Sequence, residues 1–282
     1  LNPVIDAGKN IGKIKNSHID SSGIQAISVC SHDTASAVAA VPADKSGFVF
    51  ISAGTWCIVG IESAIPFLSG DALIKGFTNE RGINNTYMVL KNIPGLWLLQ
   101  GIQKALDNKP TYDEMEIWAM NDEYSGWIIN PEDEMFYNPS DMIKAFDQFF
   151  INTGQSIPFH PGCYVKCAYD SLCLSFKQCI DDIEYISGKS VEVVHIIGGG
   201  CKSAYLGQST ADYCRKRVIT GPVEGTGIGN IMIQGIAAGI LKNIEEGRML
   251  VKNSFDVKEY KPVDVDVESI YTRFLSYKKT HR

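Results

Sequence analysis

A short apolar run that ends in three consecutive glycines leaves this chain few ways to fold. Residues 191–197 (VEVVHII) lie between Gly188 and Gly198-Gly199-Gly200, are rich in β-branched side chains and are too short for an ordinary helix. They predict a buried strand, and residues from about 203 to 214 predict the helix that follows it. A strand feeding a helix through a bare-backbone turn is the repeating unit of α/β folds.

The rest of the chain repeats that alternation. Residues 24–30 (IQAISVC) predict a strand and 34–41 (TASAVAAV) a small-residue helix after it. Residues 47–53 and 56–61 predict two strands joined across Gly54-Thr55, and 86–92 another. Helices are expected near 95–106, 112–120 and 141–152, then a long amphipathic one from 163 to about 187 that Gly188 stops. A short strand at 217–220, a Gly-Pro turn and a helix at 229–241 follow. The polar region after Gly247 predicts one last helix at 267–278. Residues 122–139, rich in acids, Pro and Asn, are expected to be a loop insertion.

Composition narrows the function. With 45% hydrophobic residues the chain can bury a large core, and with 26 Lys+Arg against 32 Asp+Glu its net charge is -6. The basic residues are scattered singly, which argues against nucleic acid as a partner. The apolar stretch at 231–241 is interrupted by Gln234 and glycines and falls short of the roughly 20 residues of a spanning helix, so no membrane segment is expected. The opening LNPVIDAGKN has no charged leader, no apolar stretch and no Met, and is expected to be part of a longer chain. Eight cysteines without a Cys-x-x-Cys pair or a nearby His cluster predict free thiols in a reducing cytoplasm. Cys163 and Cys167 share a helix face by their spacing of four and are assigned to packing, so no metal is expected. His18, His160 and His195 stand apart from acids and thiols in the sequence and are expected to be surface or packed residues.

Three segments could carry chemistry. In Ser31-His32-Asp33-Thr34 a carboxylate stands between a predicted buried strand and a helix, the edge of an α/β sheet where ligands bind. Asp33 there could cap the helix or take a proton from a substrate hydroxyl. In Ser52-Ala53-Gly54-Thr55-Trp56 a small-residue turn lets backbone N–H groups and a hydroxyl approach phosphate oxygens, or simply closes a hairpin. Gly198-Gly199-Gly200 could seat a flat ligand or a phosphate against the main chain. Gly200-Cys201-Lys202-Ser203 fails as a P-loop, because Cys201 and Ile196 stand where glycines are required. Asp6-Ala7-Gly8-Lys9 looks like a phosphate turn with no hairpin around it.

The ordered set SHDTASAVAAVP, SAGTW, YMVLKNIPGLWLLQ, HIIGGGC and GPVEGTGIGN, spread over about 31–239, resembles the FGGY carbohydrate kinases. The resemblance implies an actin/hexokinase-type fold of two ribonuclease-H-like lobes, each a mixed sheet flanked by helices, closing over ATP with Mg2+ and a ketose. It makes residues 1–20 a tail leaving a missing first lobe and 21–282 the C-terminal lobe. It makes Asp33 the catalytic base, which turns the balance from cap to base, and places His32, Thr34 and Asn92 on the sugar. Thr55 would hold phosphate, Gln100 would contact nucleotide, and Gly198, Gly199 and Gly200 would bed the adenosine. The branch it points to phosphorylates the C1 hydroxyl of L-rhamnulose, with L-fuculose or another ketose as the alternative. A lobe by itself would hold nucleotide and turn over little, and a homo-oligomer is left open. Ser203 stands where the pattern has Asn, Gly225 and Gly227 where it has Ala, and Ala53 where it has Ser or Gly. Glu224 could face the nucleotide site or cap the helix after it and is taken as structural.

Overall fold

The computed structural model describes residues 4–15, 23–44, 47–122 and 126–279; His18 lies outside them. In chain order the elements are β1 (Asn10–Lys13), β2 (Gln25–Ile27), α1 (Asp33–Ala39), β3 (Val49–Ala53), β4 (Trp56–Ser63), α2 (Gly70–Ile74), β5 (Thr78–Arg81), β6 (Tyr87–Pro94), α3 (Trp97–Ala105) and α4 (Tyr112–Asn121). The chain continues through α5 (Met142–Asn152), α6 (Pro161–Ser187), β7 (Val193–Ile197), α7 (Ala204–Cys214), β8 (Arg217–Thr220), α8 (Gly225–Ala237), α9 (Ile244–Ser254), β9 (Lys258–Tyr260) and α10 (Glu268–Lys279).

Seven strands form one mixed sheet in the order β5-β6-β4-β3-β7-β8-β9. β3, β7 and β8 are parallel, and β6 runs with them because it and β3 are each antiparallel to β4. The carboxyl ends of four strands, Ala53, Pro94, Ile197 and Thr220, therefore meet at one edge.

Period-two alternation sorts the side chains between two layers. Val49, Ile51 and Ala53, with Val194 and Ile196, face the core built on α6, whose 27 residues run about 40 Å. Phe50, Leu90 and Ile197 face α1 on the opposite side. α1 can lie flat on the sheet because alanines and serine make most of it, and each fully buried large side chain such as Phe50 contributes about 1.5–3 kcal/mol. α6 opens with Pro161 in its first turn and ends at Gly188, whose φ of 65° is left-handed.

The structure corrects the sequence reading in several places. The predicted buried strand at 24–30 is the three-residue β2, exposed or half-buried and paired only with β1, because it has no apolar face to offer the main sheet. The turn at 6–9 leads into β1 and is tied to the residue after β2, Gly8 N donating to Ser28 O at 2.8 Å and Ser28 N to Lys9 O at 2.9 Å. Residues 126–139 are loop apart from one 3-10 turn at Glu134–Phe136, but they are packed inward: Ile128, Ile129 and Phe136 are fully buried, with Phe136 against Phe146 and Phe149 of α5. α8 starts four residues ahead of the expected 229, since contact with α1 overrides the poor helix propensity of GTGIG. α9 and β9 lie in the region read only as polar. α9 is capped by Asn243, which accepts from Glu246 N at 2.9 Å. No helix among the described residues is long and apolar enough to cross a membrane.

Candidate active site

The carboxyl edge gathers the turns that the sequence singled out. The β3–β4 turn is clamped from below, Leu96 N donating to Gly54 O at 2.9 Å and Gly95 N to Thr55 O at 3.2 Å. This leaves the Thr55 side chain exposed and turned to α3, where Gln100 Nε2 donates to Thr55 Oγ1 at 3.2 Å. The glycine loop after β7 presses on the same strand end. Gly198 has a φ of 82°, and a Cβ on Gly200 would lie 2.6 Å from Ala53 Cβ, so neither position accepts a side chain without a shift. Gly199 is exposed, with nothing near its missing Cβ.

Thr55, Gln100, Gly199 and Gly200 line one cleft of about 520 Å3. Gly198 holds the loop behind them. The sequence reading missed the far wall, supplied by Tyr112 and Glu116 of α4, Tyr169 of α6 and Leu99 of α3. No local motif marks these residues; they converge only because α4 and α7 both pack on α6. Ser203, the departure from the expected Asn, accepts from Leu206 N at 3.0 Å, capping α7, and donates to Glu116 Oε1 at 3.1 Å. Glu116 Oε1 also accepts from Tyr205 N at 2.7 Å. Burial first, then the nearby Glu116, pushes the Tyr169 phenol up to about 12, so it stays a neutral donor. Leucine and tyrosine surfaces, a bare glycine and a few fixed polar groups suit a flat base with a polar rim. The turn at Thr55 suits an anionic tail.

A second group of residues sits on the other face of the sheet. His32, not Asp33, caps α1: its Nδ1 accepts from Thr34 N at 3.2 Å, which corrects the capping alternative. Asp33 is left exposed at the first helical position, its carboxylate in no hydrogen bond or ion pair among the described residues. Its backbone oxygen accepts from Thr226 Oγ1 of α8 at 3.4 Å, which ties the start of α1 to the start of α8. Thr34 is buried at 5% exposure, so of the three consecutive residues only His32 and Asp33 are open to a ligand. Asn92 is exposed on β6, in register with Ile58 of β4 and on the α1 face of the sheet. Glu80 of β5, which the sequence reading passed over, lies 3.7 Å from His32 Nδ1 through its Oε2. None of His32, Asp33 or Asn92 lines the cleft of Thr55 and Gly199. Glu224 precedes α8, and its side chain makes no capping bond there, which removes the capping alternative.

His160 and Cys163 do not stand apart from other ligating groups. Cys163 Sγ lies 3.4 Å from His160 Nε2, which lies 3.7 Å from Asp122 Oδ2. Positions three apart meet across the first turn of α6, and Asp122 arrives from the end of α4. His160 Nδ1 accepts from Gly162 N at 3.1 Å, so the neutral ring carries its proton on Nε2, toward the cluster. Burial first, then Asp122, pushes the thiol up to about 11. The three ligand atoms lie within 4.8 Å of one another. His195 is packed edge-on to Phe48 at 5.3 Å between ring centres, as expected.

Comparison with known proteins gives a consistent picture. The C-terminal domain of the FGGY family of carbohydrate kinases matches residues 49–238. Rhamnulokinase of Bacillus subtilis (strain 168) is 38% identical over 275 residues, covering 96% of this chain and 57% of that protein. Rhamnulokinase of Bacteroides thetaiotaomicron is 38% identical over 242 residues, covering 86% and 50%. Among solved structures, Plasmodium falciparum glycerol kinase with ADP gives a TM-score of 0.73 at 16% identity over 98% of this chain and 55% of that one. Xylulose kinase from Rhodospirillum rubrum gives 0.71 at 14% over 99% and 56%. At such identities these structures show the fold alone. The chain spans a little over half the length of the curated relatives it matches.

Proposed function

The chain belongs to the FGGY family of carbohydrate kinases, and on that premise we propose that it is the nucleotide-holding lobe of a kinase that phosphorylates the C1 hydroxyl of L-rhamnulose. The observation that carries the reading is the cleft in which Thr55, Gln100 and Gly199 converge from three separate segments. The curated relatives named rhamnulokinase support the choice of sugar, with L-fuculose as the alternative.

In this reading ATP supplies the phosphoryl group and Mg2+ travels on its phosphates. Among the described residues Asp113 and Glu116 are the only carboxylates lining the cleft, and Glu116 Oε1 is already engaged by Ser203 and Tyr205. Leu99, Tyr169 and the bare face of Gly199 receive the base, Gln100 and Thr55 fix the phosphate end, and Gly198 and Gly200 keep the loop flat behind it. Asp33 takes the proton of the C1 hydroxyl as that oxygen attacks, a role open to it because its carboxylate has no other partner among the described residues. His32 and Asn92 hold the sugar beside it. Thr34, being buried, supports the turn from behind and does not line the sugar. Phosphoryl transfer depends on positioning and charge neutralisation, and one aimed carboxylate suffices as the protein's base. The eight free cysteines, seven of them buried, suit a reducing cytoplasm.

The test supplies L-rhamnulose, L-fuculose and D-xylulose with ATP to the two-lobed enzyme. Phosphorylation that favours L-rhamnulose supports the assignment, and equal rates on all three overturn it. In Asp33→Asn turnover should fall by about 10²–10⁴ with nucleotide affinity kept; an unchanged rate removes Asp33 from its role. These 282 residues alone should bind nucleotide and turn over sugar very slowly, since they hold the sugar from one side.

A further inference from the structure

His32 Nδ1 faces two partners that want opposite things from it. Thr34 N–H points at it from 3.2 Å and needs a lone pair, whereas Glu80 Oε2 lies 3.7 Å away and needs a proton. One ring nitrogen cannot serve both. With the cap made, Glu80 Oε2 is a buried carboxylate oxygen with no hydrogen-bond partner among the described residues. A buried, unsatisfied charged acceptor is among the costlier features a folded protein can carry. With the proton on Nδ1, the ring gives Glu80 a charge-assisted hydrogen bond, stronger than the neutral cap it replaces. Closing from 3.7 Å to hydrogen-bond distance takes a shift of roughly 1 Å, within the swing of one side-chain torsion.

We propose that Glu80 sets the tautomer of His32, drawing the ring proton to Nδ1 in place of the cap that Thr34 N–H makes in this structure, so that Nε2 retains its lone pair for a hydroxyl of the sugar. Glu80 is placed to do so by the sheet. It pairs with Met88 of β6, two residues along the same face from Leu90 and four from Asn92, so both residues assigned to the sugar depend on the β5–β6 pair. Glu80 is thus a positioning residue acting through His32, in the way a carboxylate behind a histidine fixes which nitrogen meets the substrate. The inference rests on the reading that His32 touches the sugar, but the tautomer itself does not.

The decisive measurement is the nitrogen spectrum of the histidine rings in 15N-histidine-labelled protein at mildly alkaline pH, with the His32 signals identified by their loss in His32→Gln. The unmutated chain should show a protonated Nδ1 and an unprotonated Nε2 for His32, and Glu80→Gln should reverse the pair. A protonated Nε2 in the unmutated chain overturns the proposal, and that result does not depend on Glu80→Gln folding. In the two-lobed enzyme Glu80→Gln should raise KM for the sugar about tenfold, the effect of one hydrogen bond, while KM for ATP stays within about twofold. An unchanged sugar KM in Glu80→Gln, when His32→Gln does raise it, overturns the tautomer's role in binding. An unchanged sugar KM in His32→Gln instead overturns the assignment of His32 to the sugar.

Discussion

A Cβ added to Gly229 of α8 would fall 1.8 Å from the carbonyl oxygen of Ser36 in α1. The two helices are in backbone contact there, and they are the pair that carries Asp33 and Thr226 at their starts.

Gly229→Ala should therefore separate α1 from α8. In an open helix the substitution would stabilise by about 1 kcal/mol through propensity. Here the oxygen belongs to helix backbone and cannot swing away, so overpacking of about 1–3 kcal/mol or more wins. Urea unfolding should show a net loss of stability, and the two-lobed enzyme should lose turnover more than nucleotide affinity. A variant as stable as the parent would contradict the close approach.

Thr55→Val keeps shape and branching but removes the hydroxyl that receives Gln100 Nε2. Thr55 is exposed, so stability should change by no more than about 0.5 kcal/mol. Nucleotide affinity, measured by calorimetry on the chain with ADP, should fall about tenfold for the loss of one phosphate contact and its positioning partner. Unaltered affinity would move the phosphate end away from this turn.

The elements nearest the cleft were the ones most legible in the sequence. β7, the glycine loop and α7 announce themselves by an apolar run, three glycines and a serine cap, and the structure has them within two residues of expectation. Asp33 was singled out by residue type and neighbours, but its setting was not legible: the strand expected to present it is a minor pair outside the main sheet, and α8 holds it instead. Glu116 and Tyr169 could not be read, because a side chain that completes a cleft from a distant helix leaves no periodic mark. Glu80 was missed for the same reason. The buried stretch around Ile128 was hidden by its acidic and Asn-Pro neighbours, which look like solvent-facing loop and are in fact anchored, as where Lys91 and Lys278 pair with Glu132 at 3.2 and 2.7 Å. Burial raises the Glu132 carboxyl, and the two lysines more than offset it and leave it lowered.

Arg248, on the helix that the sequence concealed, reaches across to the functional layer. Its NH2 donates to Glu62 Oε2 at 2.6 Å and to Val38 O at 3.0 Å, and its Nε to Ala39 O at 3.3 Å, satisfying carbonyls at the end of α1. Both side chains of the ion pair are largely buried. Arg248→Met should cost about 3–5 kcal/mol, because it strands Glu62 without its partner. Adding Glu62→Gln to that variant should recover part of the loss, and a double-mutant cycle on urea unfolding measures the coupling. Additive losses would mean that the pair is not coupled.

His195 gives the fold a titration of its own. Burial, followed by the positive charges of Arg248 and Arg217, holds its imidazole down to about 3, against 6.5 when free, and its Nδ1 is buried without a hydrogen-bond partner among the described residues. Below pH 6.5 the unfolded chain takes up a proton at this residue that the folded chain refuses until about pH 3. Stability from this group is therefore complete above pH 6.5 and declines as pH falls through that window, approaching about 1.4 kcal/mol per pH unit. His195→Leu removes the titration and the orphaned nitrogen together. Between pH 7.5 and pH 5 the variant should gain about 2 kcal/mol relative to the parent, read as a divergence of the two urea midpoints. Parallel pH profiles would show that His195 is protonated as readily in the folded chain as in the unfolded one, and the packing against Phe48 would then have to leave a path for water to the ring.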